Sequence, residues 1–327
     1  MNMKGQIPTL LILLLLLSAC RKSSFVPQPA PIVGTDSLLN WQDLGSIFQG
    51  LDDIWFVSPS KGFVIGFDIQ QSIDSGHTWS PVPYNISMGN AGTLLNLFFV
   101  NDQYGFAQGT TELAVTRDGG NSWTSKPLAT SNGTTSFFIN PSTGFYGDGK
   151  GAGLFRTTDT GNTWVSVFND TKLSETYFPY FIDADTGFVV TAAGLFASTA
   201  DGGQTWQQKS QNISSLTSGN SYSQIQFLDA NTGFYPGNSG ILKTTDGGTS
   251  WANIFPVTKS DFNIIKFIDS QTGYYMTAST IYKTSDGGDT WTLSCRIGTG
   301  DLIGMHFLDV HTGWACTFGG RILRIQQ

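Results

Sequence analysis

The chain of 327 residues is poor in charge and rich in glycine and aromatic residues. Charged residues make up 13% of it, against about a quarter in an ordinary soluble domain, and it contains 39 Gly. Its 17 basic and 24 acidic residues give a formal net charge of −7. This composition excludes a coiled coil and a disordered chain, and the negative charge argues against nucleic acid as a partner. A turn-rich β protein fits it.

The N-terminus predicts a lipoprotein signal peptide over residues 1–19. The apolar run at residues 9–17 is shorter than the ~20 residues that span a bilayer. It ends in the tetrapeptide LSAC, which resembles a bacterial lipobox. We therefore expect a lipid on Cys20, a tether over residues 20–37, and a protein anchored in the bacterial cell envelope, at the outer membrane or the periplasmic face. The alternative is an ordinary signal peptide followed by a chance cysteine.

Beyond the tether, the eight-residue pattern S/T-x-D-x-G-x-S/T-W recurs six times, with 40 to 45 residues between successive tryptophans. A Gly-aromatic pair alternates with these boxes and occurs seven times, from Gly62-Phe63 to Gly313-Trp314. Short apolar runs separate the markers, which predicts four strands per unit and a β-propeller. The box residues are Asp74, Asp118, Asp159, Asp201, Asp246 and Asp286, with Trp79, Trp123, Trp164, Trp206, Trp251 and Trp291.

The two ends of the repeat array predict seven blades. After the seventh Gly-aromatic pair, residues 320–325 align with residues 240–245, and the chain stops where a seventh box should begin. Trp41 and its neighbours resemble the segment that starts at Trp206. We interpret residues 39–47 as the missing outer strand of the last blade, which removes an exposed sheet edge. The predicted fold is an all-β, seven-bladed propeller of four-stranded blades over residues 38–327.

The repeated motifs resemble those of known propellers. The boxes are similar to the Asp-box (BNR) repeat of bacterial neuraminidases. The combination of D-x-x-T-G-F/Y/W with I-L-K-T-T-D-G-G-x-S/T-W resembles the photosystem II stability and assembly factors, over nearly the whole predicted mature chain. The second resemblance implies a chaperone or assembly role for a membrane complex. Function does not follow from the fold, because propellers serve many functions.

The box aspartates admit a catalytic, a calcium-binding or a structural interpretation. An Asp at a tight turn accepts backbone N–H bonds, and a following glycine tolerates positive φ. Six copies around a ring cannot share one active site, which favours the structural interpretation. We expect no metal site and no cofactor.

The enzymatic alternative is a sialidase-like glycosidase. That family implies three arginines that hold the substrate carboxylate, a Tyr nucleophile assisted by Glu, and an Asp acid. This chain has six Arg, none of them in the first blade, no Arg-Ile-Pro motif, and only Glu112 and Glu175 as glutamates. No catalytic residue is therefore assigned. The sequence favours a monomeric, non-enzymatic binding or scaffold protein whose partner is a protein or a glycan.

The binding surface is predicted on the connections from each outer strand to the next inner strand, because these vary in length while the box hairpins do not. The longest are residues 165–177 and 207–223. As exposed candidates for contact they carry or adjoin Glu175, Tyr177, Phe178, Tyr180 and Tyr222. The alternative is that Phe178 and Tyr180 belong to an inner strand and simply pack.

Two further cysteines, Cys295 and Cys316, remain after the lipobox. An oxidising compartment outside the cytoplasm would let them form a disulfide. Two buried thiols are the alternative, and the sequence does not decide between them.

Overall fold

The computed structural model describes residues 38–85, 94–130, 132–169, 177–191, 194–210, 213, 225–237, 240–256, 263–298 and 301–326. The predicted signal peptide and tether, including Cys20, lie outside these residues. The described part folds into 29 strands arranged in seven sheets. None of it forms a long apolar helix of the kind that could cross a bilayer.

The strands group into seven blades in chain order, each sheet running from an inner strand A to an outer strand D. Blades 1 to 3 consist of β2 (Asp53–Phe56), β3 (Gly62–Ile65), β4 (Ile69–Ser72) and β5 (Ser80–Pro81); of β6 (Tyr84–Asn85), β7 (Leu94–Phe99), β8 (Gly105–Gly109), β9 (Glu112–Thr116) and β10 (Trp123–Pro127); and of β11 (Gly133–Phe138), β12 (Gly144–Asp148), β13 (Leu154–Thr157) and β14 (Val165–Phe168). Blades 4 and 5 consist of β15 (Tyr177–Phe181), β16 (Gly187–Thr191), β17 (Phe196–Thr199) and β18 (Gln207–Ser210), and of β19 (Gln226–Phe227), β20 (Gly233–Gly237), β21 (Gly240–Thr244) and β22 (Ala252–Pro256). Blades 6 and 7 consist of β23 (Ile264–Phe267), β24 (Gly273–Met276), β25 (Thr280–Thr284) and β26 (Thr292–Arg296), and of β27 (Leu302–Phe307), β28 (Thr312–Thr317) and β29 (Arg321–Gln326) with β1 (Trp41–Ser46).

The predicted seven-bladed fold of four-stranded blades is confirmed. The four main strands of each blade are antiparallel, so A–B turns and Asp boxes share one face of the ring, which we call the box face. The described B–C turns and the strand ends at which the D–A connections begin and finish share the opposite face, which we call the loop face. Blade 2 carries one addition that the sequence did not predict. The two-residue strand β6 pairs in parallel with β10 at its outer edge.

Strand β1 closes the ring as the outer strand of blade 7. It pairs antiparallel with β29, from Trp41 opposite Ile325 to Ser46 opposite Arg321, with a bulge between Asp43 and Gly45. Arg321 Nε also donates to Asp43 Oδ2 at 2.9 Å across the same pair of strands. The closing strand predicted at residues 39–47 is therefore confirmed, and it covers the edge that a three-stranded blade would expose.

Aromatic rings fill the space between neighbouring blades. At every interface a Phe at the end of strand A stacks on the ring of the Gly-aromatic pair in the preceding blade, with centroids 3.6 to 5.1 Å apart. A Trp from the same blade as the Phe meets it edge-on at 5.8 to 6.1 Å. The strand A residues, here called the stacking Phe, are Phe56, Phe99, Phe138, Phe181, Phe227, Phe267 and Phe307.

The stacking Phe explains the glycine of each Gly-aromatic pair. The glycine follows the Phe by six residues in all seven blades. A Cβ built on it would come within 2.2 to 2.8 Å of that ring, which is too close for any side chain. This spacing is a sequence signal that the motif analysis missed. It ties the A–B turn to the interface between blades.

No disulfide joins Cys295 to Cys316 in the described part of the chain. Cys295 lies on β26 and Cys316 on β28, and each is buried in a different hydrophobic cluster. Burial raises the pKa of the Cys316 thiol well above its usual value. Of the two alternatives left open by the sequence, the structure shows buried thiols.

Candidate functional site

The box aspartates are engaged within their own hairpins. Asp118 is representative: Oδ1 accepts from Thr116 Oγ1 at 2.8 Å and from Ser122 N at 2.9 Å, while Oδ2 accepts from Ser122 Oγ at 2.6 Å. In five boxes, hydrogen bonds from a side-chain hydroxyl and then from a backbone N–H lower the pKa of the carboxyl from 3.8 to about 2. These hydrogen bonds shape the turn of the hairpin.

The box also joins each blade to the one before it. Gly120 of the second box has φ +84°, and a Cβ there would lie 2.2 Å from Cζ of Phe63 in blade 1. At the ring closure, Trp314 Nε1 of blade 7 donates to Ser75 O of the first box at 2.9 Å. The boxes therefore act as contacts between blades.

Basic residues on the third strand cover the Gly-aromatic rings. Lys243 Nζ lies 5.5 Å from the ring centroid of Phe234, and Arg324 Cζ lies 5.5 Å from the ring centroid of Trp314. Lys243 Nζ also donates to Asp289 Oδ1 at 3.0 Å in the next box. These side chains make cation–π contacts at blade interfaces.

The loop-face candidates named from the sequence are only partly described. Glu175 and Tyr222 lie outside the described residues. The prediction that Tyr177 and Phe178 are exposed is wrong: they are 0% and 1% exposed, because β15 is an inner strand packed on both faces. Tyr180 on the same strand is half-buried, and its hydroxyl lies 3.4 Å from Phe227 O.

Two other aromatic residues are exposed on the loop face. Phe67, in the B–C turn of blade 1, is 63% exposed, and Phe318, in the B–C turn of blade 7, is 54% exposed. Gly50 lies between these turns. Its N–H donates to Phe318 O at 2.8 Å, and a Cβ on it would lie 2.6 Å from Cε2 of Phe67. The two turns therefore form one surface, which we call the blade 7–1 patch.

The surroundings of the blade 7–1 patch are acidic. Asp52, Asp68 and Asp301 lie in its turns and connections, while Arg321, which directly follows the blade 7 turn, donates to Asp43 Oδ2 at 2.9 Å. Asp301 Oδ2 accepts from Gly319 N at 2.9 Å. Apolar rings surrounded by carboxylates suit a partner that combines an apolar side chain with basic ones.

A second candidate site is a cavity of about 390 Å³ on the axis of the ring, which we call the axial channel. It is lined by residues of strand A from all seven blades. The residue immediately before each stacking Phe differs from blade to blade. It is aromatic in blades 1 to 4 and polar in blades 5 to 7, and all but the last line the cavity. In blade order these axial residues are Trp55, Phe98, Phe137, Tyr180, Gln226, Lys266 and His306.

Three charged side chains line the channel, Asp52, Asp53 and Lys266, and Asp52 also belongs to the blade 7–1 patch. Asp53 accepts Ile54 N on Oδ1 at 2.9 Å and Leu97 N on Oδ2 at 3.0 Å, and burial raises its pKa to about 6. Burial lowers the pKa of Lys266, and the charge of Asp53 opposes that shift. Burial also lowers the pKa of His306 to about 3, so this ring is neutral, and its Nδ1 accepts from Phe56 N at 3.3 Å.

Two residues of the lining carry a polar atom that is unpaired among the described residues, Asn96 Oδ1 and Ser136 Oγ, and both atoms are buried in the protein and not open to the channel. Both residues line the cavity and are 8% and 4% exposed. Sequence reasoning missed the channel entirely. The signal that could have found it is the residue seven positions before each Gly-aromatic glycine, whose type changes around the ring.

Comparison with known proteins supports the family resemblance. A profile of the photosynthesis system II assembly factor YCF48 matches residues 174–306. The chain is a BNR-type β-propeller that resembles this family. No curated protein matches it.

Solved structures show the same fold at low identity. YCF48 bound to a D1 peptide is 16% identical with a TM-score of 0.67, over 88% of this chain and 97% of that one. YCF48 from Cyanidioschyzon merolae is 17% identical with a TM-score of 0.66, over 88% and 99%. The GH74 enzyme of Niastella koreensis is 14% identical with a TM-score of 0.66, over 87% of this chain but only 53% of the enzyme. At such identities the likeness establishes the fold alone.

Proposed function

We propose that this propeller is a non-enzymatic, assembly-factor-like lipoprotein of the cell envelope that binds another protein through its loop face. The observation that carries the proposal is the pair Phe67 and Phe318, exposed on adjoining turns of a rigid ring. Contiguous exposed aromatics on such turns are typical of protein interaction sites. The YCF48 structure with a D1 peptide supports it, because it shows a propeller of this fold with a bound peptide.

The acidic surroundings of the patch define the partner further. A segment with an apolar side chain flanked by Lys or Arg would bury the two Phe rings and pair with Asp52, Asp68 and Asp301. The association rate should therefore fall as the salt concentration rises.

Site-specific photo-crosslinking in the native envelope tests the proposal. A photoreactive residue at position 67 or 318 should give a protein adduct. The same residue at position 73 or 165 should give none, although Ile73 and Val165 are 73% and 65% exposed. Ile73 belongs to a box hairpin and Val165 to outer strand β14, so they are matched controls away from the patch. Adducts at position 73 alone would show that the partner binds the box face, and would contradict the proposal.

The glycosidase alternative is favoured only by the likeness to GH74 enzymes, of which this chain spans about half the length. The purified protein should release no product from sialosides or from β-glucan oligosaccharides. Turnover that co-purifies with the folded protein and is lost in an Asp53→Asn variant would overturn the non-enzymatic proposal.

Anchoring by Cys20 is a separate part of the proposal. A Cys20→Ser variant should lose fatty-acyl labelling and move from the membrane to the soluble fraction, whereas Ser24→Ala should not. Unchanged membrane association of Cys20→Ser would contradict the lipobox interpretation.

A further inference from the structure

Asp52 connects the axial channel with the blade 7–1 patch. It is half-buried in the lining of the cavity, and it lies just after Gly50, which contacts the turns of Phe67 and Phe318. Its N–H donates to Ile65 O at 2.8 Å, which fixes it at the start of inner strand β2. Each strand A begins on the loop face and ends at the A–B turn on the box face. Asp52 therefore marks the loop-face end of the channel.

Asp52 carries a charge that the other charged residues of the channel do not balance. Burial dominates the pKa of both Asp53 and Lys266, but each also feels the opposite charge of the other, so these two charges offset each other. For Asp52, burial and then the charge of Asp53 raise the pKa to about 6, and no described cation lies within ion-pair distance of it. At pH 7 it is mostly ionised, and the loop-face end of the channel attracts a cation.

The other end of the channel, towards the box face, is aromatic. Trp55, Phe98 and Phe137 come from consecutive blades, and each is half-buried in the lining directly before a stacking Phe. Tyr180 continues the series in blade 4, with its ring centroid 5.3 Å from that of Phe137. We call these four residues the aromatic arc. Their rings offer apolar faces to a flat apolar group.

The two ends are far enough apart to define the shape of a ligand. Asp52 and Trp55 are three residues apart, which is about 10 Å along an extended strand. Leu95, Ile264 and Ile303 are half-buried apolar residues of the lining near the starts of β7, β23 and β27. A ligand that reaches both ends therefore needs a polar head and a flat apolar group with several carbon atoms between them.

The charge of Asp52 decides what the polar head must be. An uncharged head would displace water from the carboxylate and offer it no opposite charge. An anion would be repelled by Asp52 at the entrance that it has to pass. An ammonium or guanidinium group pairs with the carboxylate through charge-assisted hydrogen bonds.

We propose that the axial channel binds an amphiphilic cation, with its ammonium or guanidinium group at Asp52 and its flat apolar group on the aromatic arc. The cavity volume of about 390 Å³ falls within the usual range for small-molecule sites. Two sources supply this chemistry: a free arylalkylamine, or an aromatic side chain next to a Lys or Arg in a protein segment. For the second source the inference rests on the proposed function, and for the first it stands by itself.

Calorimetric titration of the purified protein at pH 7 tests the proposal. The main probe is phenylbutylammonium, with phenylbutanol as its uncharged counterpart and phenylbutyrate as its anionic one. Benzylammonium has the same charge and ring without the spacer. We expect phenylbutylammonium to bind at least about tenfold more tightly than each of the other three. The peptide acetyl-phenylalanyl-lysine amide represents a protein segment, and whichever of the peptide and the free amine binds more tightly identifies the source.

Three variants assign the binding to the channel. Asp52→Asn should lower the affinity for phenylbutylammonium about tenfold and leave that for phenylbutanol unchanged, because only the charge is removed. Phe137→Leu keeps an apolar side chain but removes one ring of the arc, so it should weaken the binding of both. Phe67→Ser changes the blade 7–1 patch outside the channel and should alter neither affinity. Thermal unfolding of each variant shows that it is folded.

Four results would overturn the proposal. The first is that neither phenylbutylammonium nor the peptide binds at about 10 mM, where even millimolar affinity would give near saturation. The second is that phenylbutanol or phenylbutyrate binds as tightly as phenylbutylammonium. The third is that Asp52→Asn keeps the parent's affinity for the amine. The fourth is that Phe67→Ser weakens amine binding while Phe137→Leu does not, which would place the amine on the patch. Crosslinking from positions 67 and 318 tests the proposed function separately, so the two failures are distinguishable.

Discussion

The indole ring of Trp41 lies edge-on against Phe307, with ring centroids 6.0 Å apart and planes at 81°. In the other six blades the Trp of an Asp box takes this position on the stacking Phe. Trp41 does not belong to a box. It occupies the same position on Phe307 from a strand more than 250 residues earlier in the chain, and its Nε1 donates to Ser294 Oγ at 3.0 Å. Strand β1 therefore supplies blade 7 with the aromatic contact as well as the backbone hydrogen bonds that the blade would otherwise lack.

Replacing Trp41 with Ala should lower the free energy of unfolding by about 3–5 kcal/mol, the usual loss for a buried aromatic residue. Trp41 is 3% exposed, so nearly the whole ring is lost from the core. Denaturant unfolding followed by circular dichroism measures the change. Leu39→Ala, at a side chain 63% exposed, is the neighbouring control. Equal stability of the two variants would mean that β1 contributes little to closure.

Gly120→Ala should destabilise the protein more than Gly45→Ala does. Both glycines have positive φ, +84° and +93°, so both substitutions carry a backbone strain of about 1–2 kcal/mol. Only Gly120 also faces Phe63, and displacing that ring should add about 1–3 kcal/mol. A Cβ on Gly45 would meet nothing within 4 Å. Equal effects in thermal unfolding would show that the box does not support the blade interface.

Asp52→Asn should stabilise the protein increasingly as the pH rises from about 4 to about 6. Burial, and then the charge of Asp53, raise the pKa of Asp52 from 3.8 to about 6. The folded state therefore binds this proton more tightly than the unfolded chain, and ionisation over that range costs stability. Urea unfolding of parent and variant at pH 4, 5, 6 and 7 gives the difference. Asp102→Asn, at an exposed turn, is the control. If the difference in free energy of unfolding between Asp52→Asn and the parent does not change with pH, the prediction is wrong.

Asp246→Ala should lower the melting temperature at pH 7 without abolishing ligand or partner binding in the folded fraction. Its carboxylate accepts from Ser250 Oγ at 2.6 Å and Ser250 N at 2.9 Å, and these bonds lower its pKa from 3.8 to about 2. A lowered pKa stabilises the fold above pH 3.8, and this contribution is lost as the pH falls through 2. The difference from the parent should shrink over the same range. Lost binding with an unchanged melting temperature would assign the boxes a functional role.

The sequence was sufficient for the blades and for their closure, because each depends on local motifs repeated at constant spacing. The Asp box forms its turn from hydrogen bonds within a few residues, so its eight letters specify its shape. The closing strand could be found because Trp41 occupies the place of a box Trp. Local patterns with local causes are what a single sequence records best.

The candidate sites were harder to predict because they depend on which way a strand faces in the ring. Tyr177 and Phe178 adjoin a long connection, yet β15 packs between two blades and buries both. Phe67 and Phe318 are far apart in sequence and meet only because blades 7 and 1 adjoin. The channel likewise collects residues from seven strands, and only a comparison of the position seven residues before each Gly-aromatic glycine would have indicated that they meet.

The pairing of β1 with β29 has a consequence for how the protein is made. Asp43 and Arg321 lie 278 residues apart, and such distant contacts form late in folding. A blade such as blade 3 can form as soon as its own four strands exist, but β1 must wait for β29 before it can pair. A polypeptide cut short by even one strand would keep Trp41 and its backbone uncovered. Loss of β29 would therefore leave the edges of both β1 and β28 unpaired and open to proteolysis.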